Sequence, residues 1–315
     1  MGARAAYAAV ILIWSTTPLA VKWSGEDIGF LTGAGARMLL ALVLCLALLA
    51  LLRRPLPWDR AARRVYGSAL LSAYGAMVGV YWASSLIPSG LLAVLFGLTP
   101  VITAVLARLW LGEDALGPGR SVALVLGVTG LVMIFGDALT MGTDRALGAA
   151  IALAAVTLHA TSTVLVKRAG REGPDGLATT TGTLVLAVPL YALTWALAGG
   201  GPPAEIPPRA AAAIAYLGVI GSVVGFSLYY HVLRRFTATG VGLIPLVTPV
   251  LALLLGALVD QETLTPRTWS GVLHILLGLV WFQWGDRLGR ANGSRGAGAD
   301  RRADPGCGGA TCRRH

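Results

Sequence analysis

The chain has too little charge to cover a water-soluble globule of its length. Only 13% of its 315 residues are charged and 56% are hydrophobic, and its mean hydropathy is +0.72. Soluble domains carry roughly a quarter of charged residues. The scarcity of charge therefore argues against an ordinary soluble domain and predicts that most of the chain lies in a lipid bilayer.

Acidic residues and the motifs of common catalytic sites are also missing where an enzyme would need them. No Asp or Glu lies deep within an apolar run, and neither H-E-x-x-H nor G-x-S-x-G occurs. No G-x-x-x-x-G-K-[ST] string is present to hold the phosphates of ATP. No loop resembles the filter of a selective channel. We therefore predict that the chain is not an enzyme and has no cofactor.

Cysteine is scarce as well, with three residues in the chain. Cys45 lies inside an apolar run, whereas Cys307 and Cys312 form a C-x4-C-x2-H string with His315. A single string of this kind in a segment rich in Gly and Arg is weak evidence for a metal site, so we predict none. Residues 287–315 are predicted to form a disordered, basic cytoplasmic tail.

Long apolar runs are what the chain has in abundance. Because lipid cannot form hydrogen bonds with the backbone, runs of about 20 residues predict membrane-spanning helices. Ten such runs predict an all-α polytopic membrane protein with ten transmembrane helices. The runs are 5–22, 29–52, 66–86, 90–111, 121–138, 147–166, 177–198, 210–233, 239–259 and 269–285.

Basic residues are distributed unequally between the two sides of these ten runs. If the N-terminus is placed in the cytoplasm, 20 of the 25 Lys and Arg residues are cytoplasmic. Only Lys22, Arg145, Arg209 and Arg267 then face outward. The positive-inside rule thus predicts a cell membrane protein, of the inner or plasma membrane, with both termini in the cytoplasm. This distribution accounts for the net charge of +10 without a nucleic-acid partner.

The two halves of the chain carry the same pattern of residues. The corresponding pairs are Trp14 and His159, Lys22 and Lys167, Gly75-x-x-x-Gly79 and Gly221-x-x-x-Gly225, Thr99-Pro100 and Thr248-Pro249, and Glu113 and Glu262. We interpret this as a tandem duplication, with one five-helix repeat in residues 1–140 and a second in residues 141–286. Because five is odd, the second repeat enters the membrane from the opposite side, which predicts inverted repeats.

A Thr-Pro pair lies in the fourth predicted span of each half. A proline inside a helix removes one backbone hydrogen bond, and lipid tolerates this only where other groups satisfy the freed carbonyl. We predict that Thr99, Pro100, Thr248 and Pro249 bend both helices and shape a shared cavity or serve as hinges. The alternative is that these are the ordinary prolines of membrane helices.

These segments resemble the EamA-type transporters of the drug/metabolite transporter superfamily. The resemblance covers about residues 5–285 and rests on WSTTPLAVK at 14–22, ARMLLALVL at 36–44, TPVITAVLARLWLGED at 99–114 and TPVLALLLGALVDQE at 248–262. It implies a secondary active transporter that exports small metabolites, either amino-acid-like or amphipathic drug-like compounds, by alternating access. The chain departs from the family in having Ser15 where a glycine is frequent and His159 where a tryptophan is common. A channel-like permease for small polar solutes is the alternative.

Trp14 and His159 are the centre of the predicted substrate site, since both lie near the middle of their spans. The site residues that we predict are Trp14, Thr17, Arg37, Tyr81, Trp82, His159, Thr163, Tyr229 and Tyr230. Of these, Thr17 and Thr163 lie one helical turn from Trp14 and His159. The four residues Tyr81, Trp82, Tyr229 and Tyr230 either line the site or belong to an interfacial aromatic belt.

Arg37 and His159 are the two predicted site residues that can carry a positive charge. Arg37 is the one strongly basic residue well inside a span, where it either pairs with a carboxylate of the substrate or plays a structural role. If transport is coupled to protons, His159 is the candidate carrier, because imidazole titrates near neutrality. The alternative for His159 is a neutral side chain bonded to a neighbouring helix.

Overall fold

The computed structural model describes residues 2–112, 142–169, 173–199, 203–236, 244–259 and 265–278, with short stretches elsewhere. Predictions that concern Glu113, Glu262 and the tail at 287–315 lie outside the described residues, as does part of the predicted span at 121–138. Where it is described, the chain is helical apart from short connections and contains no strand. The prediction of an all-α protein is confirmed.

Eleven α-helices are defined by their end residues within the described part of the chain. They are α1 (Ala3–Gly25), α2 (Phe30–Leu51), α3 (Arg60–Leu70), α4 (Met77–Ser84), α5 (Ser89–Phe96), α6 (Thr99–Leu111), α7 (Thr143–Arg168), α8 (Gly176–Leu197), α9 (Pro208–Tyr216), α10 (Gly225–Arg235) and α11 (Ile244–Val259). Two π-helical segments complete longer helices: Leu71–Ala76 joins α3 to α4, and Leu217–Val224 joins α9 to α10. Residues 266–278 are also helical.

Six helices among the described residues are long and apolar enough to cross a membrane. They are Arg4–Gly25, Phe30–Leu51, Ser89–Leu111, Thr143–Arg168, Gly176–Leu197 and Pro208–Arg235. Each coincides with one of the ten predicted runs. The run 66–86 falls on α3, the first π-helical segment and α4, and the run 239–259 contains α11. The chain is therefore a helical protein with several apolar helices of membrane-spanning length.

Helices from the two halves of the chain pack against each other in the core. Helix α1 contacts α10 and α11, α2 contacts α8, and α5 contacts α11. Small residues permit this close packing: a Cβ on Gly79 would lie 3.0 Å from the Cβ of Ala155, and one on Gly225 would lie 3.6 Å from Nε1 of Trp14. The two Gly-x-x-x-Gly strings thus lie where helices approach closely, as such strings do in membranes.

The two Thr-Pro pairs differ in their effect on the helix. Helix α5 ends at Phe96 and α6 begins at Thr99, so Pro100 occupies the first turn, where its missing N–H breaks no helical hydrogen bond. Helix α11 instead runs without interruption through Thr248 and Pro249. The chain is thus interrupted at the first Thr-Pro pair and not at the second, and the bending of both helices stays a prediction. At the second pair the Thr248 hydroxyl donates to the Ile244 carbonyl at 3.1 Å, which supports the turn ahead of the proline.

Candidate functional site

A cavity lies between helices of both halves of the chain. It contains about 720 Å³ of space free of protein atoms, part of which is open to solvent, and its walls are almost wholly apolar. The lining residues are Trp14, Thr17, Pro18, Val21, Arg37, Met77, Val80, Leu92, Ala93, Phe96, His159, Phe226 and Thr248. A concave, mostly apolar space with a few polar groups has the character of a site for a small molecule.

Five of the predicted site and hinge residues line this cavity: Trp14, Thr17, Arg37, His159 and Thr248. They come from four helices, α1, α2, α7 and α11. Trp14 lies at the middle of α1, and His159 lies in the corresponding helix of the second half. The structure therefore brings together residues that are far apart in sequence, from Trp14 to Thr248.

The remaining predicted residues lie beside the cavity or away from it. Tyr81 is fully buried, where its hydroxyl accepts a hydrogen bond from Ser24 at 3.4 Å. Trp82 is 43% exposed and stacks on Phe30. Tyr230 is buried and lines a second pocket at the ends of α7 and α10. The other described residues of the prediction that do not line the cavity are Thr99, Pro100, Thr163 and Tyr229. The side chain of Pro249 lies outside the described residues.

An aromatic cluster of Trp14, His159 and Tyr229 joins α1, α7 and α10 at the cavity. The Trp14 ring centroid lies 4.9 Å from that of Tyr229 and 5.9 Å from that of His159. The ring of Phe96, from α5, lies 6.0 Å from the imidazole. Ring pairs at these separations interact favourably, so one wall of the cavity is a packed set of rings from both halves.

His159 is held by hydrogen bonds as well as by ring contacts. Its Nδ1 atom lies 2.7 Å from the hydroxyl of Ser72, a residue of the first π-helical segment. One turn along α7, the Thr163 hydroxyl donates to the His159 carbonyl at 2.9 Å. The same hydroxyl lies 2.7 Å from the phenolic oxygen of Tyr229. The Ser72 hydroxyl is therefore the hydrogen-bond partner of the imidazole, while Thr163 connects the backbone of α7 to Tyr229 of α10.

Arg37 is the second polar feature of the cavity. The residue is only 1% exposed, and its Nε donates to the Ser222 hydroxyl at 2.8 Å. Its guanidinium carbon lies 5.9 Å from the centroid of the Phe226 ring. Its Nη1 atom has no hydrogen-bond partner among the described residues. A buried guanidinium nitrogen without a partner is costly and leaves a donor for a ligand.

Ser72 and Ser222 are site residues that the sequence reasoning missed. Each belongs to a π-helical segment, and each bonds the chargeable side chain that the opposite half of the chain contributes. Such π-helical segments are rare and occur frequently at functional sites. The only sequence signal near them is the Gly-x-x-x-Gly string that each segment overlaps, and it predicts packing rather than a hydrogen bond to a residue of the cavity wall.

Metal binding has no support within the described residues, which contain no group of three His, Cys, Asp or Glu side chains close enough to hold an ion. The string formed by Cys307, Cys312 and His315 lies outside them.

Apolar helices that enclose a cavity of ligand size define the class of helical membrane transport proteins. The sequence model of the EamA-like transporter family matches the chain twice, over residues 3–136 and 146–283. The chain belongs to this family, within the drug/metabolite transporter superfamily, and is a multi-pass membrane transporter.

Several named proteins are similar to it over most of their length. The inner membrane transporter YedA of Escherichia coli is 26% identical over 283 residues, which cover 89% of this chain and 90% of YedA. The transporter YoaV of Bacillus subtilis is 25% identical, covering 86% of this chain and 92% of YoaV. A protein of Pseudomonas aeruginosa is 32% identical, covering 78% of this chain and 80% of its own. One solved crystal structure superposes with a TM-score of 0.62 over 90% of this chain and 98% of the solved chain, at 19% sequence identity. This likeness indicates a shared fold.

Proposed function

We propose that the chain is a secondary active transporter that exports small amphipathic molecules by alternating access. The observation that carries this proposal is the cavity between the helices, because both halves of the chain supply its walls. A site shared by two halves opens to one side or the other when one half rocks against its partner. The outward direction follows from the family resemblance.

The proposed architecture is two inverted five-helix repeats with ten transmembrane helices and both termini in the cytoplasm. Its repeat boundaries are residues 1–140 and 141–286, followed by a disordered tail at 287–315. The two successive matches of the family model support a repeat. So do the two π-helical segments, Leu71–Ala76 and Leu217–Val224, each of which overlaps the Gly-x-x-x-Gly string of its own half.

Cysteine labelling in intact cells tests the inversion of the two repeats. Arg53 follows the second helix of the first half, and Glu205 follows the second helix of the other half; both are exposed. In a background without the native cysteines, Arg53→Cys should react only with a membrane-permeant maleimide. Glu205→Cys should react with an impermeant one as well. Reaction of both with the impermeant reagent would contradict the inverted repeat.

Counterflow in proteoliposomes tests the carrier function against the channel-like alternative. Preloading the vesicles with substrate should accelerate uptake of labelled substrate, because a carrier reorients faster when loaded than when empty. A channel would give the same flux with or without preloading. The initial substrates would come from a screen of metabolites that overexpressing cells release and deletion cells retain.

Proton coupling through His159 is tested in the same vesicles. Its imidazole contacts the rings of Trp14, Phe96 and Tyr229 and forms a hydrogen bond with Ser72, so no carboxylate is among its neighbours in the part of the chain that the structure describes. His159→Gln keeps a polar group but cannot be protonated near neutrality. We expect the variant to retain exchange and to lose acceleration by a proton gradient. An unchanged response to the gradient would exclude His159 as the proton carrier.

A further inference from the structure

Arg37 carries a buried positive charge, and none of the acidic residues that the structure describes forms a salt bridge with it. The sequence contains no Asp or Glu deep within an apolar run, and Arg37 is only 1% exposed. Moving an arginine into a membrane-spanning segment costs on the order of 2.5–3.5 kcal/mol on insertion scales. Its bond to the neutral Ser222 hydroxyl supplies one hydrogen bond but no opposite charge.

The free Nη1 atom indicates which kind of ligand could complete this arrangement. It is buried and has no hydrogen-bond partner among the described residues, while Nε is already occupied by Ser222. A guanidinium binds a carboxylate better than it binds any neutral acceptor, because the hydrogen bond is charge-assisted and the fork fits two oxygens. An anionic group in the cavity would both occupy the donor and balance the charge.

The rest of the cavity wall restricts what else the ligand can carry. Trp14, Phe96 and Phe226 supply aromatic surface, and the other described lining residues are mostly aliphatic. None of the described residues that line the cavity is acidic. An ammonium group of a ligand would therefore lose its hydration and find no carboxylate in return.

We propose that the cavity selects amphipathic organic monoanions, with a carboxylate bound to Arg37 and an apolar body against the aromatic wall, in preference to zwitterionic amino acids and to amines. This inference rests on the proposed function, since it names the substrate class of the same site. Of the two substrate classes that the family resemblance implies, it favours amphipathic compounds over amino-acid-like ones.

Three probes with one phenyl body and different charges test the selectivity. At about pH 6 phenylpyruvate is an anion, phenylalanine is a zwitterion and phenylalaninamide carries positive charge. Binding is measured by calorimetry on the full-length protein in lipid nanodiscs. We expect phenylpyruvate to bind at least about tenfold more tightly than the other two, since pairing an isolated buried charge strengthens binding on that scale. Equal or tighter binding of phenylalanine or phenylalaninamide, or no binding of phenylpyruvate, overturns the proposal.

Three variants distinguish recognition of the anion from a structural role of Arg37. Arg37→Gln should weaken phenylpyruvate binding roughly 10- to 100-fold and change phenylalaninamide binding by less than about twofold. Arg37→Lys keeps the positive charge but loses the paired N–H donors of the guanidinium. Its affinity for phenylpyruvate should therefore lie between those of the wild type and Arg37→Gln. Ser222→Ala removes the hydroxyl that accepts the hydrogen bond from Nε of Arg37, and the variant should keep the order of affinity of the three probes. Equal weakening of all probes in Arg37→Gln would assign Arg37 a structural role alone.

The outcome for the transport proposal is separate from the outcome for selectivity. If phenylpyruvate binds the wild-type protein but shows no counterflow in vesicles, the anion site is supported and the carrier function is contradicted. If phenylalaninamide shows counterflow that Arg37→Gln does not affect, the carrier function is supported and the anion site is contradicted. Because the probe order is measured on the wild type, the test stands even if Arg37→Gln does not fold.

Discussion

Gly176→Ala is expected to lower the thermal stability of the protein strongly. A Cβ at this position would lie 2.1 Å from the carbonyl oxygen of Ser227 and 3.3 Å from the amide nitrogen of His231. Both are backbone atoms of α10, so the contact cannot be relieved by a side-chain rotation. Overpacking of this kind costs about 1–3 kcal/mol or more, because helices α8 and α10 must move apart.

Gly67→Ala is the matched control for this change. Gly67 also lies in a helix, α3, but a Cβ there would have no atom within 4 Å. The same substitution should therefore leave the unfolding temperature unchanged or raise it slightly, because alanine is favoured over glycine in helices by about 0.5–1 kcal/mol. Unfolding is followed by fluorescence of the detergent-solubilised protein. Equal unfolding temperatures for the two variants would refute the close approach of α8 and α10.

The start of α8, where Gly176 lies, is held in place by contacts of the preceding residue, Asp175. Asp175 caps this helix by accepting a hydrogen bond from the Ala178 amide at 2.9 Å. The same carboxylate forms a salt bridge with Arg54, at 2.9 Å, in the connection between α2 and α3. The pair is about half exposed, so it adds little stability by itself. Close packing at Gly176, rather than the ion pair, is therefore expected to hold this end of the bundle together.

The location of the helices could be predicted from the sequence because lipid leaves the backbone few alternatives. An apolar run of membrane-spanning length must satisfy its own N–H and C=O groups, which makes it a helix. The meeting of Trp14 with His159 was predictable for a different reason: equivalent residues of a duplicated unit lie at equivalent depths. Neither inference needs knowledge of how individual helices pack.

The contacts that depend on the rotation of a helix could not be predicted in this way. Tyr81 and Trp82 are neighbours in α4, yet the first is buried and the second is 43% exposed, and neither lines the cavity. In an apolar run, residue type does not reveal which face meets another helix. The partner roles of Ser72 and Ser222 were missed because π-helical segments change the register of a helix and have no signature in composition.

The Thr-Pro pairs show the same limit within one motif. Pro100 begins a helix and Pro249 lies inside one, although the two sites read alike in sequence. Ahead of Pro100, Gly97 and Leu98 form a turn that separates α5 from α6. A motif thus predicts where a helix lacks a hydrogen bond, and the surrounding residues decide whether it breaks there.

Trp14→Ala is expected to reduce substrate affinity and transport more than any other change to an aromatic residue of the cavity. The indole lines the cavity and contacts the rings of His159 and Tyr229 from the opposite half of the chain. Removing it takes away both a contact surface for an apolar ligand and the packing that orients the imidazole. Loss of a buried aromatic contact of about 1.5–3 kcal/mol corresponds to roughly a 10- to 100-fold weaker dissociation constant.

Trp82→Ala is the control that separates a tryptophan of the cavity from one that lies outside it. Trp82 is 43% exposed, stacks on Phe30 and does not line the cavity, so its removal should change binding by less than about twofold. Trp14→Phe keeps an aromatic ring and should recover part of the lost affinity. Equal losses in Trp14→Ala and Trp82→Ala would mean that general stability rather than ligand contact governs transport. A selective loss in Trp14→Ala would place the bound molecule against the wall that the two halves share, where a rocking motion can expose it to either side.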